Sequence, residues 1–133
     1  MHYEQAPSAI AEATEQKTIL LIEDNYIFSI IITKTITDYT PYRVIHLAEG
    51  SQMMRVIGEN KPHLLLLDYD LPGMNGIELY DLVQSTQGQE HIPAIMVSAK
   101  PPLDEMAKRH LPGLRKPFGT LELINAIEEA LNP

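Results

Sequence analysis

Apolar residues fall along this chain in two kinds of run. Short, nearly unbroken runs occupy Thr18–Ile22, Leu64–Leu67 and Ala94–Val97, with a weaker one at Val44–Leu47. A run apolar at every position suits a strand covered on both faces, as in a parallel sheet. The weaker run carries Arg43 just before it and His46 within it, which suits an edge strand. Leu114–Arg115 is a fifth, very short candidate just before Lys116. Between these runs the spacing becomes helical. Phe28, Ile31, Ile32, Thr35 and Ile36 define one helix face turned to the core, which leaves Tyr26, Ile27 and Ile30 leaning outward. Ser51–Glu59 predicts a short helix that closes before Asn60-Lys61-Pro62. Gly76–Gln84 has Ile77, Leu79, Tyr80 and Val83 at helical spacing, and Leu121–Leu131 has Leu123, Ile124, Ile127 and Leu131. In Pro101–Leu111, Pro101 and Pro102 can open a helix, and Pro112-Gly113 stops it.

The order is strand then helix, five times over. That alternation predicts an α/β domain with a parallel sheet and helices on both faces. In such sheets ligands bind beyond the carboxyl ends of the strands, where the strand order reverses. The residues at those ends are polar in a particular way. Glu23 and Asp24 follow the first run, Asp68-Tyr69-Asp70 the third, Ser98 the fourth and Lys116 the fifth. Carboxylates, a hydroxyl and an ammonium, far apart in sequence, are thus expected at one sheet edge.

Composition narrows the field. The 133 residues fit one domain, carry a formal charge of −8 and include no cysteine. The charge argues against a broad nucleic-acid surface, which needs clustered Lys and Arg. Without cysteine there are no disulfides, thiolate metal sites or cysteine nucleophiles, which is compatible with a reducing cytoplasm. No apolar stretch reaches the roughly 20 residues of a membrane span, and Met1–Gln16 lacks the pattern of a secretory signal. We read residues 1–16 as a flexible leader and 17–133 as the domain. The five histidines have no ligand-like spacing, and His63 is expected to be part of the packing or the hydrogen bonding.

A carboxylate cluster repels itself and calls for a cation. All-oxygen ligands of this kind suit Mg²⁺, which takes one or two carboxylates and keeps several waters. One carboxylate can also attack phosphorus, since aspartyl phosphates are known covalent intermediates. Lys116 and the metal would offset charge on the phosphoryl oxygens, and Ser98 could hydrogen-bond one of them.

The ordered set of Glu23-Asp24, Asp68 within Leu-Leu-Leu-Leu-Asp-Tyr-Asp-Leu-Pro-Gly-Met-Asn-Gly, Ser98-Ala99 and Lys116-Pro117-Phe118 resembles the receiver domains of two-component response regulators. The likeness runs from about Thr18 to Leu131. It implies the (βα)5 doubly wound, flavodoxin-like (CheY-like) fold, with strand order 2-1-3-4-5. It implies that Asp68 is the phosphoacceptor and a metal ligand, that Asp24 binds Mg²⁺ directly, and that Glu23 acts on it mostly through water. Asp70 would offer its backbone carbonyl to the metal, Ser98 would hold the phosphoryl group and Lys116 would pair with it. Ala99 would be small because it lies beside that group, the Lys116–Pro117 bond would be cis, and Leu71-Pro72 and Gly76 would shape the loop over the site. The phosphodonor would be a histidine kinase or histidine phosphotransfer protein docking on the first helix near Ile30, and homodimerisation is a further family trait. The domain would be no enzyme beyond phosphorylating and dephosphorylating its own aspartate.

Two departures stand out. The family usually has Tyr or Phe three positions before the site lysine, and here that position is Gly113. The stretch from Ser98 to Lys116 is also about one helical turn shorter than is common. These suggest that the signal leaves by another surface or through order–disorder in Pro101–Pro112. Asp70 and Lys100 flank the family's hydrolytic path, so an Asp–Lys pair there would slow dephosphorylation. Two other classes compete. A haloacid-dehalogenase-type phosphatase also uses Asp-x-Asp, but Leu71-Pro72 follows here and the motif lies on the third strand. A receiver-like interaction module that is never phosphorylated is the other.

Overall fold

The computed structural model describes residues 16–89 and 91–133. The expected leader, apart from Gln16, lies outside them. Five strands form one parallel sheet: β1 (Thr18–Ile22), β2 (Arg43–Leu47), β3 (Leu64–Asp68), β4 (Ala94–Ser98) and β5 (Gly113–Arg115). Their order is β2-β1-β3-β4-β5, so the chain reverses direction across the sheet between β1 and β3. The helices are α1 (Tyr26–Tyr39), α2 (Met53–Asn60), α3 (Gly76–Gln84), α4 (Leu103–Lys108) and α5 (Thr120–Leu131).

Side chains alternate across a strand, and here both faces are buried. Leu20, Ile22, Leu65, Leu67 and Met96 point to one layer, against Val56 and Ile57 of α2, Leu79 and Val83 of α3 and Met106 of α4. Ile19, Leu21, Leu64, Leu66, Ile95 and Val97 point to the other, against Ile32 and Ile36 of α1 and Leu123 and Ile127 of α5. This is why the three central runs carry no alternation. β2 is an edge strand and keeps Arg43 and His46 exposed. His63 has a structural role, its Nδ1 accepting the Thr18 N–H at 3.0 Å.

Several expectations are corrected. The inward face of α1 is Ser29, Ile32 and Ile36, and Ile31 is 50% exposed. The apolar residues of α1 nearly encircle it, so spacing alone leaves its phase open. The small Ser29, whose hydroxyl turns back to the Tyr26 carbonyl at 2.7 Å, takes the buried place. Tyr26, Ile27 and Ile30 do lean outward, as expected. The segment expected as one helix over Ser51–Glu59 is a 3₁₀ turn at Gly50–Gln52 followed by α2. Asp68 and Ser98 are the last residues of their strands rather than the first beyond them. The Pro101–Leu111 stretch holds the six-residue α4, tied to α3 by Arg109, whose Nε and Nη2 each lie 2.7 Å from the Asp81 carboxylate.

Gly113 opens β5, and a Cβ there would strike the Met106 methyl and come within 3.2 Å of the Met96 carbonyl. The Met106 thioether thus fills the space a larger residue would need. Gly113→Phe is expected to destabilise the protein by about 1–3 kcal/mol. Met106→Ala should recover part of that loss in the double variant, a coupling that urea unfolding of the four proteins would reveal.

Candidate functional site: an acidic cleft at the strand-order reversal

The cleft lies where the fold predicts it, between the carboxyl ends of β1 and β3. It is about 430 Å³ and is lined by Glu23, Asp24, Asn25, Asp68, Asp70, Ala99 and Lys116. Sheet pairing fixes these residues. The Glu23 N–H donates to the Leu47 carbonyl at 3.0 Å, extending the β1–β2 ladder by one residue. Asp68 is in register with Val97 and Ser98 with Arg115, and the Lys116 N–H donates to the Ser98 carbonyl at 2.9 Å. The Lys116–Pro117 bond is cis, as expected.

One carboxylate oxygen each from Glu23, Asp24 and Asp68 lies within 4.8 Å of the others. Glu23 and Asp68 are buried, and Asp24 is exposed at the mouth. The Lys116 ammonium sits 2.8 Å from Glu23 Oε1 and 3.5 Å from Asp68 Oδ2. The Glu23 contact is an ion pair without hydrogen-bond alignment, so Oε1 is a buried oxygen that accepts no hydrogen bond. Glu23 Oε2 accepts the Asn25 N–H at 3.1 Å, and Asp68 Oδ1 accepts the Asp70 N–H at 3.1 Å.

Burial is the largest influence on the Asp68 carboxyl, followed by the neighbouring Glu23 carboxylate. Together they push its pKa up to about 7, while Lys116 and the Asp70 N–H pull the other way less strongly.

Ser98 is buried at the end of β4 and does not line the cleft; its Oγ accepts the Lys100 N–H at 3.0 Å. Its own O–H remains a donor. Asp70 and Lys100 are exposed, and no ion pair joins them among the described residues. Three contributors were not singled out in the sequence. Asn25 caps α1 by accepting the Phe28 N–H at 2.8 Å, and an Asn just before a helical run was the available signal. His46 Nε2 meets the Glu23 carbonyl at 2.7 Å. Phe28, assigned to the core face of α1, presents its ring to Lys116.

Fold and site together define a doubly wound α/β domain with an acidic, lysine-bearing cleft at its reversal point. The response regulator receiver domain model matches residues 19–128, and the chain belongs to that family. The phosphate regulon transcriptional regulatory protein PhoB of Pseudomonas aeruginosa PAO1 is 31% identical over 119 residues, 86% of this chain and 52% of that protein. The chain therefore spans about half the length of that relative. Sporulation initiation phosphotransferase F of Bacillus subtilis 168 is 28% identical over 117 residues, 85% of this chain and 92% of that protein. The receiver domain of sensor histidine kinase PA1611 from Pseudomonas aeruginosa PAO1 carries a magnesium ion in its active-site cleft. It superimposes with a TM-score of 0.80 at 23% identity, covering 89% of this chain and 99% of that one, and bears on the fold alone. Receiver domains accept phosphoryl groups and are not enzymes in the ordinary sense, so the phosphatase alternative is not favoured, nor is the unphosphorylated module.

Proposed function

We propose that this receiver takes a phosphoryl group onto Asp68 from the phosphohistidine of a kinase or phosphotransfer protein, with one Mg²⁺ held by Asp24 and Asp68. Glu23 would act on the ion largely through water, and Asp70 would contribute its backbone carbonyl. The observation that carries this reading is the convergence of three carboxylates and Lys116 in one cleft, with Glu23 and Asp68 buried. An all-oxygen donor set of three carboxylates fits a hard divalent cation. When bound, Mg²⁺ offsets the repulsion among the carboxylates and the charge on the phosphoryl oxygens.

The chain's own residues do the rest. An ionised Asp68 oxygen attacks phosphorus, an O–P bond forms, and the P–N bond breaks with its electron pair leaving on the donor imidazole. The Lys116 ammonium, 3.5 Å from Asp68 Oδ2, turns from Glu23 to a phosphoryl oxygen. The Ser98 hydroxyl, whose Oγ already accepts the Lys100 N–H, would donate its own proton to the same group. Ala99 supplies only a methyl at the cleft wall and leaves the room that phosphorus needs.

Incubation with acetyl phosphate and Mg²⁺, read by intact mass, is expected to give a single phosphoryl adduct. The adduct should vanish in Asp68→Asn and when metal is chelated. A folded protein that takes no phosphoryl group with Mg²⁺ present would overturn the reading.

A further inference from the structure

We infer that Phe28 is a positioning residue for Lys116, its ring holding the ammonium beside the acidic cleft. The inference rests on the reading of Asp68 as phosphoacceptor. The Lys116 ammonium lies 4.5 Å from the centre of the Phe28 ring while it also meets the Glu23 and Asp68 carboxylates at 2.8 and 3.5 Å. An ammonium over an aromatic face is attracted by the ring's quadrupole, more strongly where water is thin. The lysine side chain is only 13% exposed, so this contact is largely screened from solvent.

Phe28 is itself held at both its ring and its backbone. Its centre is 5.8 Å from that of Phe118, with the planes tilted by 57°, and Phe118 follows Lys116 by two residues. The loop that presents the lysine therefore also braces the ring facing it. At its backbone, Phe28 donates its N–H to the Asn25 side chain, and Asn25 donates its own N–H to Glu23 Oε2. One residue thus fixes the backbone from which the ring projects and the Glu23 carboxylate that pairs with Lys116.

The arrangement matters because the ammonium must change partners. Lysine is a point charge on a flexible four-carbon stem with much rotamer freedom. A divalent cation held by Asp24 and Asp68, with Glu23 reached through water, would compete for the Glu23 and Asp68 carboxylates and repel the ammonium. The Phe28 ring is the one of these three contacts that a metal does not compete for. It keeps Lys116 at the cleft until a phosphoryl oxygen arrives.

Phe28→Leu and pentafluorophenylalanine at position 28 test this; the second keeps the ring's shape and reverses its quadrupole. Both are expected to slow phosphorylation by acetyl phosphate at saturating Mg²⁺ by roughly three- to tenfold, with Mg²⁺ affinity unchanged. Phe28→Trp should retain the wild-type rate. In metal-free protein, the Lys116 ε-methylene protons should show an upfield ring-current shift by NMR that Phe28→Leu removes. A wild-type rate in the fluorinated protein, or no ring-current shift, would overturn the inference. Failure of the wild-type protein to take a phosphoryl group would instead strike the phosphoacceptor reading, and the NMR shift would still test the Lys116–Phe28 contact.

Discussion

Asp68→Asn is expected to make the metal-free protein more stable at pH 8, by on the order of 2 kcal/mol, and to make no difference near pH 4. The sign follows from the folded-state carboxyl, whose pKa is raised to about 7 by burial and by Glu23. In the unfolded chain Asp68 ionises near the ordinary carboxylate value of about 4. Between those values the folded protein keeps a proton that the unfolded chain has lost. Stability therefore falls as pH rises through that window, and the full deficit is present above about pH 7. An amide of the same shape never ionises and removes the deficit. The loss of the weak Lys116 contact at 3.5 Å offsets only part of this gain. Mg²⁺ should reverse the ranking by stabilising wild type increasingly as pH rises, with little effect on Asp68→Asn. Urea midpoints at pH 4 and 8, with chelator and with Mg²⁺, check this. An equal difference at both pH values, or a less stable amide variant at pH 8, would contradict it.

The second large effect concerns a glycine with no special backbone angle. Gly76 begins α3, and its N–H donates to the Tyr69 carbonyl at 3.1 Å. A Cβ there would lie 2.5 Å from the Asp68 carbonyl oxygen and 2.8 Å from Met96 Sδ. The thioether can turn aside, but the carbonyl belongs to the last residue of β3 and cannot. Alanine favours a helix over glycine by about 1 kcal/mol, and the overlap with backbone outweighs it. Gly76→Ala is expected to cost about 2–3 kcal/mol and to slow phosphorylation, because the strand end that yields is the one bearing Asp68. Gly58 is the control. It lies in α2 with nothing within 4 Å of an added Cβ, so Gly58→Ala should stabilise by about 0.5–1 kcal/mol. Chemical denaturation of both variants would show the opposite signs, and two changes of the same sign would sink the argument.

How much of this was legible in the sequence depends on what each pattern encodes. β1, β3 and β4 were readable because strands buried on both faces are apolar throughout, and a helix does not bury every successive position. α3 was readable from Ile77, Leu79, Tyr80 and Val83 at helical spacing, and its start is fixed by a capping box in which the Asn75 and Glu78 side chains each accept the other's backbone N–H at 2.9 Å. The phase of α1 was not, because apolar residues lie around most of its circumference and only packing selects Ser29 over Ile31. β5 was faint because Leu114 is its one buried side chain.

The site divides in the same way. Glu23, Asp24, Asp68 and Lys116 were legible because strand ends in this architecture must meet at one edge. The structure brings these four together, keeps Asp70 at the cleft wall and sets Ser98 behind it. The pairing of Lys116 with Glu23, the capping of α1 by Asn25 and the ring of Phe28 beneath the ammonium depend on side-chain rotamers. No spacing rule reaches those.

The central claim is that Asp68 itself bears the phosphoryl group, and trapping the acyl phosphate tests it most directly. Borohydride added after acetyl phosphate and Mg²⁺ reduces an aspartyl phosphate to homoserine with loss of phosphate. Peptide sequencing should then find homoserine at position 68 and nowhere else, and none without Mg²⁺. Homoserine at another carboxylate, or a phosphorylated protein with an intact Asp68, would contradict the account.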